Sequence, residues 1–132
     1  MTPEILVVED SRTDAFLIRE AMASAQVDAK LFFVSDGEAA IRFFDSADRD
    51  ASAPCPSLVL LDLNLPRRNG DDVLRHLRSS RRCRNAMVLI VSSSDAAHER
   101  EGVAALGVSG YFRKPTDYWE FMKLGDVVKE LL

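Results

Sequence analysis

Five short apolar runs, separated by segments with helical periodicity, constrain the fold of this chain more than any other feature of its sequence. The runs are Ile5–Val8, Leu31–Val34, Leu58–Leu61, Met87–Val91 and Tyr111–Phe112. Apolar residues at helical spacing follow each run, so the pattern predicts five β–α units in succession. Near-continuous apolar strands are typical of parallel sheets that are buried on both faces. We therefore expect an α/β fold with a doubly wound, five-stranded parallel sheet and five helices.

The predicted helices have recognisable ends. Ser11 and Asp14 are spaced as in a capping box at the start of the first helix. The fourth helix is expected over residues 94–106, because Gly107 suits the position after a helix C-terminus. The last helix carries an apolar stripe, and we expect Trp119 and Phe121 to pack in the core; exposure of these rings for association is the alternative.

Length and charge indicate one ordinary globular domain. The chain has 132 residues and a net charge of −4, and we expect one domain over 1–132 with no output domain. This charge gives no support to nucleic-acid binding. No apolar stretch approaches the length of a membrane span and the N-terminus is no signal peptide, so we expect a cytoplasmic protein. Cys55 and Cys83 match no metal-ligand or redox spacing and are predicted to be reduced thiols.

Reactive polar side chains stand within two residues of the end of four of the apolar runs. They are Glu9, Asp10, Asp62, Ser92 and Lys114. Because the carboxyl ends of parallel strands meet at one edge of a sheet, we expect these side chains to lie together. Clustered carboxylates repel one another unless a cation lies among them, and oxygen ligands suit Mg²⁺. We expect Asp10 and Asp62 to bind the metal directly, Glu9 to bind it through a water, and the backbone carbonyl of Asn64 to complete the set.

The same edge can also hold a phosphoryl group. Lys114 would supply a positive charge opposite the metal, where a phosphoryl oxygen would lie. The hydroxyl of Ser92 can donate a hydrogen bond to another phosphoryl oxygen. The predicted arrangement suits in-line phosphoryl transfer with Asp62 as the nucleophile.

Each of these residues also has a simpler interpretation. Asp62 alone could cap a turn after its strand, and Lys114 could be an ordinary solvated lysine. Glu9 or Asp10 could cap the first helix, although Ser11 offers a better capping box. Ser93 and Ser94 are hydroxyls equivalent to Ser92, and only register with the strand end favours Ser92. The occurrence of all five side chains at one predicted edge favours a functional site.

Other charged residues have less specific patterns. A run of arginines lies at positions 75, 78, 81, 82 and 84. We expect it to be a solvated helix end, since cations favour the negative end of the helix dipole; a docking surface for an acidic partner is the alternative. His76 and His98 have no partner at a metal-ligand spacing and are expected at the surface.

These motifs resemble the receiver domain of two-component response regulators over essentially the whole chain. The resemblance lies in the acidic pair of VVEDS, in LLDLNLP with Pro66 and Gly70 at matching offsets, in the hydroxyl of VLIVSSS and in YFRKP. The segment LLDLNLPRRNGDDVL is similar to small receivers that partner phytochrome-like and other hybrid histidine kinases. The resemblance implies a flavodoxin-like sheet with strand order 2-1-3-4-5.

The resemblance also implies roles for the residues at the sheet edge. Asp62 would accept a phosphoryl group from a kinase phosphohistidine in the presence of Mg²⁺ or Mn²⁺. Ser92 and Lys114 would hold that group, and Ser92 and Tyr111 would form a conformational switch. The surface of the fourth helix, fifth strand and fifth helix would then change for partner binding or homodimerisation.

Two details of the resemblance concern lifetime and backbone geometry. Asn64, Ser93 and Ser94 occupy positions that tune the lifetime of the acyl phosphate in this family. The Lys114–Pro115 peptide bond is expected to be cis, as the family pattern implies.

Three classes of function compete. The leading one is a stand-alone phosphorylation switch that binds a sensor histidine kinase and a downstream target or phosphotransfer protein. Such a switch is no conventional enzyme, although it catalyses its own phosphorylation and slow dephosphorylation. A Mg²⁺-dependent phosphatase would need a second aspartate two residues after the nucleophile, where this chain has Asn64. An interaction module without chemistry is disfavoured by the complete set of site residues.

Overall fold

Strands and helices alternate along the chain as the apolar runs predict. The computed structural model describes residues 2–93 and 103–132. Its elements are β1 (Glu4–Val8), α1 (Arg12–Ser24), β2 (Lys30–Val34), α2 (Gly37–Arg49), β3 (Leu58–Leu61), α3 (Gly70–Ser79), β4 (Met87–Ser92), β5 (Gly110–Arg113) and α4 (Tyr118–Leu131). Five helices were expected and four are described, because the helix predicted over 94–106 falls largely outside the described residues.

The strands form one parallel sheet in the order β2-β1-β3-β4-β5, which confirms the predicted architecture. β1 pairs with β2 on one side and with β3 on the other. The chain therefore reverses its direction of winding between β1 and β3. Ligands bind at such a reversal, beside the carboxyl ends of the strands.

The two faces of the sheet support two cores. On β1, Leu6 and Val8 pack against residues of α2 and α3, whereas Ile5 and Val7 pack against residues of α1 and α4. All four side chains are buried, because successive strand residues point to opposite faces and helices cover both. This double cover explains why the strands have continuous apolar sequences rather than alternating ones.

The loop after β3 folds back onto the end of its own strand. The N–H of Gly70 donates a 3.0 Å hydrogen bond to the carbonyl of Leu63. A β-carbon at Gly70 would lie 2.6 Å from the Cα of Leu63, so this approach requires glycine. Asn69 then caps α3 by accepting a 3.0 Å hydrogen bond from the N–H of Asp72. Asp62 is therefore not needed as the cap of this helix.

A disulfide joins Cys55 and Cys83, so the prediction of reduced thiols is wrong for this structure. The two sulfur atoms lie 2.13 Å apart and the Cα atoms 5.6 Å apart, across a sequence separation of 28. Cys55 precedes β3 and Cys83 follows α3. Because α3 returns along β3, the ends of this unit meet. Such a meeting depends on the fold and is not visible in cysteine spacing.

Three of the arginines near the end of α3 bind backbone carbonyls, and Arg75, Arg81 and Arg84 are exposed, as expected of a solvated helix end. Arg78 donates to the carbonyls of Arg84, Ala86, Leu106 and Gly107. Arg81 and Arg82 donate to carbonyls at the C-terminal end of α2 and in the segment that follows it. These side chains thus hold the connections at the end of the sheet opposite to the predicted site.

The two histidines differ in what the structure shows. Nε2 of His76 lies 2.8 Å from Oδ1 of Asp45 and joins α3 to α2, so His76 has a partner that the sequence did not indicate. His98 lies outside the described residues.

The first turn of α4 exposes aromatic side chains. Phe121 is 1% exposed, as predicted, but Trp119 is 75% exposed, which corrects its assignment to the core. Trp119 packs edge-to-face on Tyr118, with ring centroids 5.0 Å apart. Helical periodicity places positions 119 and 121 on different faces, and only the second faces α1.

In the part of the chain that the structure describes, no helix combines the length and the apolarity that crossing a bilayer requires.

Candidate functional site

Backbone pairing extends past the strands and holds the predicted site residues side by side. The N–H of Glu9 donates to the carbonyl of Val34 (3.0 Å), and the N–H of Asp62 donates to the carbonyl of Val8 (3.2 Å). The N–H of Lys114 donates to the carbonyl of Ser92 (2.9 Å). The first residue after each of three strands is therefore fixed in register with its neighbour. The structure thus brings the predicted site residues to one edge of the sheet.

Three carboxylates meet at this edge. Each of Glu9, Asp10 and Asp62 offers an oxygen atom, and these atoms lie within 4.8 Å of one another. Glu9 and Asp62 are buried, whereas Asp10 is exposed and opens the cluster to solvent. A cleft of about 400 Å³ lies beside Glu9 and Asp10, between α1 and the end of β2. An all-oxygen cluster of this kind, with room for waters, suits Mg²⁺ or Mn²⁺.

The two carboxylate oxygens of Glu9 have different partners. Its Oε2 accepts a 3.1 Å hydrogen bond from the N–H of Ser11. Its Oε1 is fully buried and forms an ion pair with the Lys114 ammonium at 2.6 Å. Burial raises the pKa of Glu9 to about 7, although the nearby Lys114 ammonium acts to lower this pKa. Three clustered carboxylates outnumber the positive charge of Lys114, so the donor set fits a divalent metal.

The ammonium of Lys114 lies among the acids at the centre of the site. Its Nζ donates 2.9 Å hydrogen bonds to Asp14 and to Asp62 and lies 2.6 Å from Oε1 of Glu9. The side chain is only 8% exposed. Burial alone would lower the pKa of Lys114, but its bonds to Glu9, Asp14 and Asp62 outweigh burial and raise it. The lysine is therefore charged, and the interpretation as an ordinary solvated lysine is wrong.

Asp14 is a site residue that the sequence analysis missed. It lies in the first turn of α1 and was interpreted only as part of the capping box. Ser11 does cap this helix, accepting a 3.2 Å hydrogen bond from the N–H of Asp14. The available signal was its position, because Asp14 follows Asp10 by four residues and lies in the first turn of the helix that begins beside the acidic pair.

Asp62 is held on both sides. Its Oδ1 accepts a 3.0 Å hydrogen bond from the N–H of Asn64, and its Oδ2 accepts one from Lys114. The first contact is the turn cap considered as a simpler interpretation, and it coexists with the second. Asn64 and Ser93 are exposed beside the site, and Ser94 lies outside the described residues. The roles of these three in phosphoryl lifetime, and of the Asn64 carbonyl as a ligand, stay predictions.

Ser92 and Tyr111 lie on the same face of the sheet. Ser92 is buried at the end of β4, opposite Arg113, and Tyr111 lies opposite Ile90. Since residues two apart share a face, Tyr111 lies on the Ser92 side, where it packs half-buried against the larger core. Their placement suits the predicted switch, which stays a prediction. The Lys114–Pro115 bond is trans, so the expectation of a cis bond is wrong.

The sequence is similar to known response regulators. Residues 5–124 match the family model of the response regulator receiver domain. Response regulator Rcp1 of Synechocystis sp. is 32% identical over 123 residues, which are 91% of this chain and 82% of Rcp1.

Two solved structures resemble the whole molecule. The phosphorylated cyanobacterial phytochrome response regulator RcpA superposes with a TM-score of 0.88 at 29% identity, covering 99% of this chain and 94% of RcpA. The Mn²⁺-bound form of Rcp1 gives a TM-score of 0.85 at 28% identity, covering 97% of this chain and 92% of Rcp1.

Proposed function

We propose that this chain, which belongs to the response regulator receiver domain family, accepts a phosphoryl group on Asp62 from a histidine kinase. Transfer of a phosphoryl group to an aspartate is general in this family of two-component systems. The proposal for this chain is the assignment of residues. Asp62 is the acceptor, Lys114 and Ser92 hold the phosphoryl oxygens, and Glu9, Asp10 and Asp62 bind the metal.

One observation carries the proposal. The Lys114 ammonium lies 2.9 Å from a carboxylate oxygen of Asp62, and that carboxylate also belongs to the cluster with Glu9 and Asp10. Asp62 therefore contacts a fixed positive charge and also belongs to a set of oxygens that could bind a metal. A transferring phosphoryl group needs both of these charges beside it.

The chemistry follows from this arrangement. A carboxylate oxygen of Asp62 attacks the phosphorus atom of the phosphohistidine, and the bond from phosphorus to the imidazole nitrogen breaks. The nitrogen keeps the electron pair of that bond and takes a proton from water. Lys114 and the hydroxyl of Ser92 donate hydrogen bonds to the equatorial phosphoryl oxygens. A divalent cation, Mg²⁺ or Mn²⁺ as in the Mn²⁺-bound Rcp1, would neutralise the remaining charge on these oxygens when bound.

The partner class follows from the relatives. RcpA is a cyanobacterial phytochrome response regulator, and we extend this partner class to the present chain, so that its donor is a phytochrome-like or hybrid histidine kinase. Receiver domains are generally not conventional enzymes. In this chain, Asn64 in the position of a phosphatase's general acid supports self-phosphorylation and slow dephosphorylation rather than turnover of external esters.

The output surface includes β5 and α4, the helix that the sequence analysis counted as the fifth. Tyr111 on β5 packs against the core on the Ser92 side of the sheet, and Trp119 on α4 exposes most of its ring. Phosphorylation that moves Ser92 and Tyr111 would alter this surface and thereby its binding of a downstream target or of a second copy of the chain.

The acceptor assignment is tested by labelling with radioactive acetyl phosphate and Mg²⁺. We expect Asp62→Asn to take up no label while keeping the wild-type circular dichroism spectrum, because an amide is not a phosphoryl acceptor. Asp126→Asn, which neutralises an exposed acid on α4, is the matched control and should label normally. Label on Asp62→Asn at the wild-type level would show that the acceptor is another residue.

A further inference from the structure

Lys114 has three acidic partners, and two of them, Glu9 and Asp62, take part in metal binding or phosphoryl transfer in the proposed reaction. Asp62 loses the negative charge of its carboxylate when one of its oxygens bonds to phosphorus and forms an acyl phosphate. Glu9 belongs to the group of carboxylates that could share a cation, together with Asp10 and Asp62. A cation there would draw the carboxylate of Glu9 towards itself. Asp14 is outside that group, although its Oδ2 lies 2.9 Å from Nζ of Lys114.

We propose that Asp14 is a positioning residue for phosphoryl transfer, whose carboxylate holds the Lys114 ammonium beside Asp62 when Glu9 and Asp62 are otherwise engaged. This inference rests on the proposed function of Asp62. It assigns to the first turn of α1 a part in the chemistry that occurs at the ends of β3 and β5.

The anchoring of Asp14 suits this role. Its backbone N–H is held by the Ser11 hydroxyl at 3.2 Å, and the N–H of Ala15 donates to the Ser11 carbonyl at 2.9 Å. The carboxylate thus starts from a capped helix end. The Asp14 side chain is 28% exposed and that of Lys114 only 8%. Asp14 is the most exposed of the three acids that contact the ammonium.

The alternative is that Asp14 serves only the helix. An acid in the first turn favours the helix dipole whatever its partner, and Glu120 does so in α4. If Asp14 had only a structural role, its replacement would affect the stability of α1 and would leave the position and reactivity of the Lys114 ammonium unchanged. Measurements on Lys114 itself therefore separate the two roles.

The first experiment needs neither metal nor phosphodonor. Wild-type protein, Asp14→Ala, Asp14→Asn and Glu120→Ala are treated with an amine-acetylating reagent, and modification at each lysine is followed by peptide mass spectrometry. We expect Lys114 to react about tenfold faster in Asp14→Ala, since a charge-assisted hydrogen bond is lost, with Lys30 unchanged as an internal reference. Asp14→Asn should give a smaller increase, because its amide oxygen still accepts. Glu120→Ala should leave Lys114 at the wild-type rate.

The second experiment measures phosphorylation by acetyl phosphate at saturating Mg²⁺. We expect the rate constant to fall about tenfold in Asp14→Ala and about threefold in Asp14→Asn, because a misplaced catalytic group slows reaction. If Asp14→Ala does not fold, Asp14→Asn decides the question by the same two measurements.

Several results would overturn the inference. Rates within twofold of wild type in both experiments would do so, as would an equal acceleration of acetylation at Lys30, which would indicate general loosening. If Asp62→Asn loses its label in the same series, such results refute the role of Asp14 alone. If Asp62→Asn keeps its label, the proposed acceptor is wrong, and acetylation of Lys114 still judges whether Asp14 holds it.

Discussion

At the scale of single residues, Glu9 combines two opposing requirements. Burial raises the pKa of its carboxyl group from 4.5 to about 7, so near neutral pH a proton occupies a group that a cation would need. The folded state binds this proton more tightly than the unfolded state does. Without metal, the contribution of Glu9 to stability is therefore greatest below pH 4.5 and is lost as pH rises towards 7. A metal must displace the proton, so metal affinity has the opposite dependence on pH.

The prediction for Glu9 concerns metal affinity. We expect the dissociation constant for Mn²⁺, measured by electron paramagnetic resonance, to decrease by up to about tenfold for each unit that the pH rises towards 7. Above pH 7 it should level off. Glu9→Gln should bind Mn²⁺ more weakly and show a flatter profile. Glu130→Gln, on the exposed side of α4, is the control and should follow the wild type. A wild-type profile that is flat from pH 5 to pH 7 would contradict the raised pKa of Glu9.

At the scale of elements, β3 and α3 form a closed unit that carries Asp62. The Cys55–Cys83 disulfide joins the segment before β3 to the segment after α3. The hydrogen bond between Gly70 and Leu63 closes the opposite end, next to the acceptor. Both ends of the unit are thus tied, and the loop between Asp62 and α3 has a defined path.

The disulfide has a predictable effect on stability. Closing a loop of this length lowers the entropy of the unfolded chain and stabilises the fold by about 3–4 kcal/mol. We expect urea denaturation in the presence of dithiothreitol to show a loss of this size relative to oxidised protein. The double variant Cys55→Ala and Cys83→Ala should be insensitive to the reductant. Titration of two free thiols in the denatured, unreduced protein would show that the bond is absent.

At the scale of the whole molecule, the proposed site and an exposed aromatic pair lie at the same end. Tyr118 and Trp119 begin α4 only a few residues after Lys114. Phe16 is also exposed, to 57%, but it lies on α1. Large exposed aromatic side chains are enriched at protein interfaces. A change at the phosphoryl site thus has a short path through β5 to a surface that can bind a partner.

Sedimentation velocity tests whether that partner is a second copy of the chain. Beryllofluoride with Mg²⁺, as a substitute for the phosphoryl group, should increase the sedimenting mass of the wild type towards that of a dimer. Trp119→Ala should remain monomeric at the same concentration, because the exposed ring would supply much of the apolar contact. Phe16→Ala removes an aromatic ring of similar exposure from another surface and should dimerise as the wild type does. No change of mass with beryllofluoride in the wild type would refute dimerisation.

The main features of the fold and of the site could be predicted because they depend on local patterns. Continuous apolar runs predicted buried parallel strands, and parallel strands necessarily place their carboxyl ends at one edge. The meeting of Glu9, Asp10 and Asp62 was therefore predictable, as was the position of Lys114. Asp14 was missed because its role depends on the direction in which α1 leaves the sheet. That direction determines which helix residue faces the lysine.

By itself, the sequence determined the parallel α/β architecture, the burial of the strands and the residue types at their carboxyl ends. It could do so because the spacing of apolar residues that distinguishes strands from helices is a property of neighbouring residues in the sequence. Only the tertiary structure decided that Cys55 meets Cys83, that Trp119 faces outwards and that Lys114 has Asp14 as a partner. These outcomes depend on how helices pack against the sheet, which brings together residues as far apart in sequence as Asp14 and Lys114, 100 positions from each other. No local pattern records the distances between such residues.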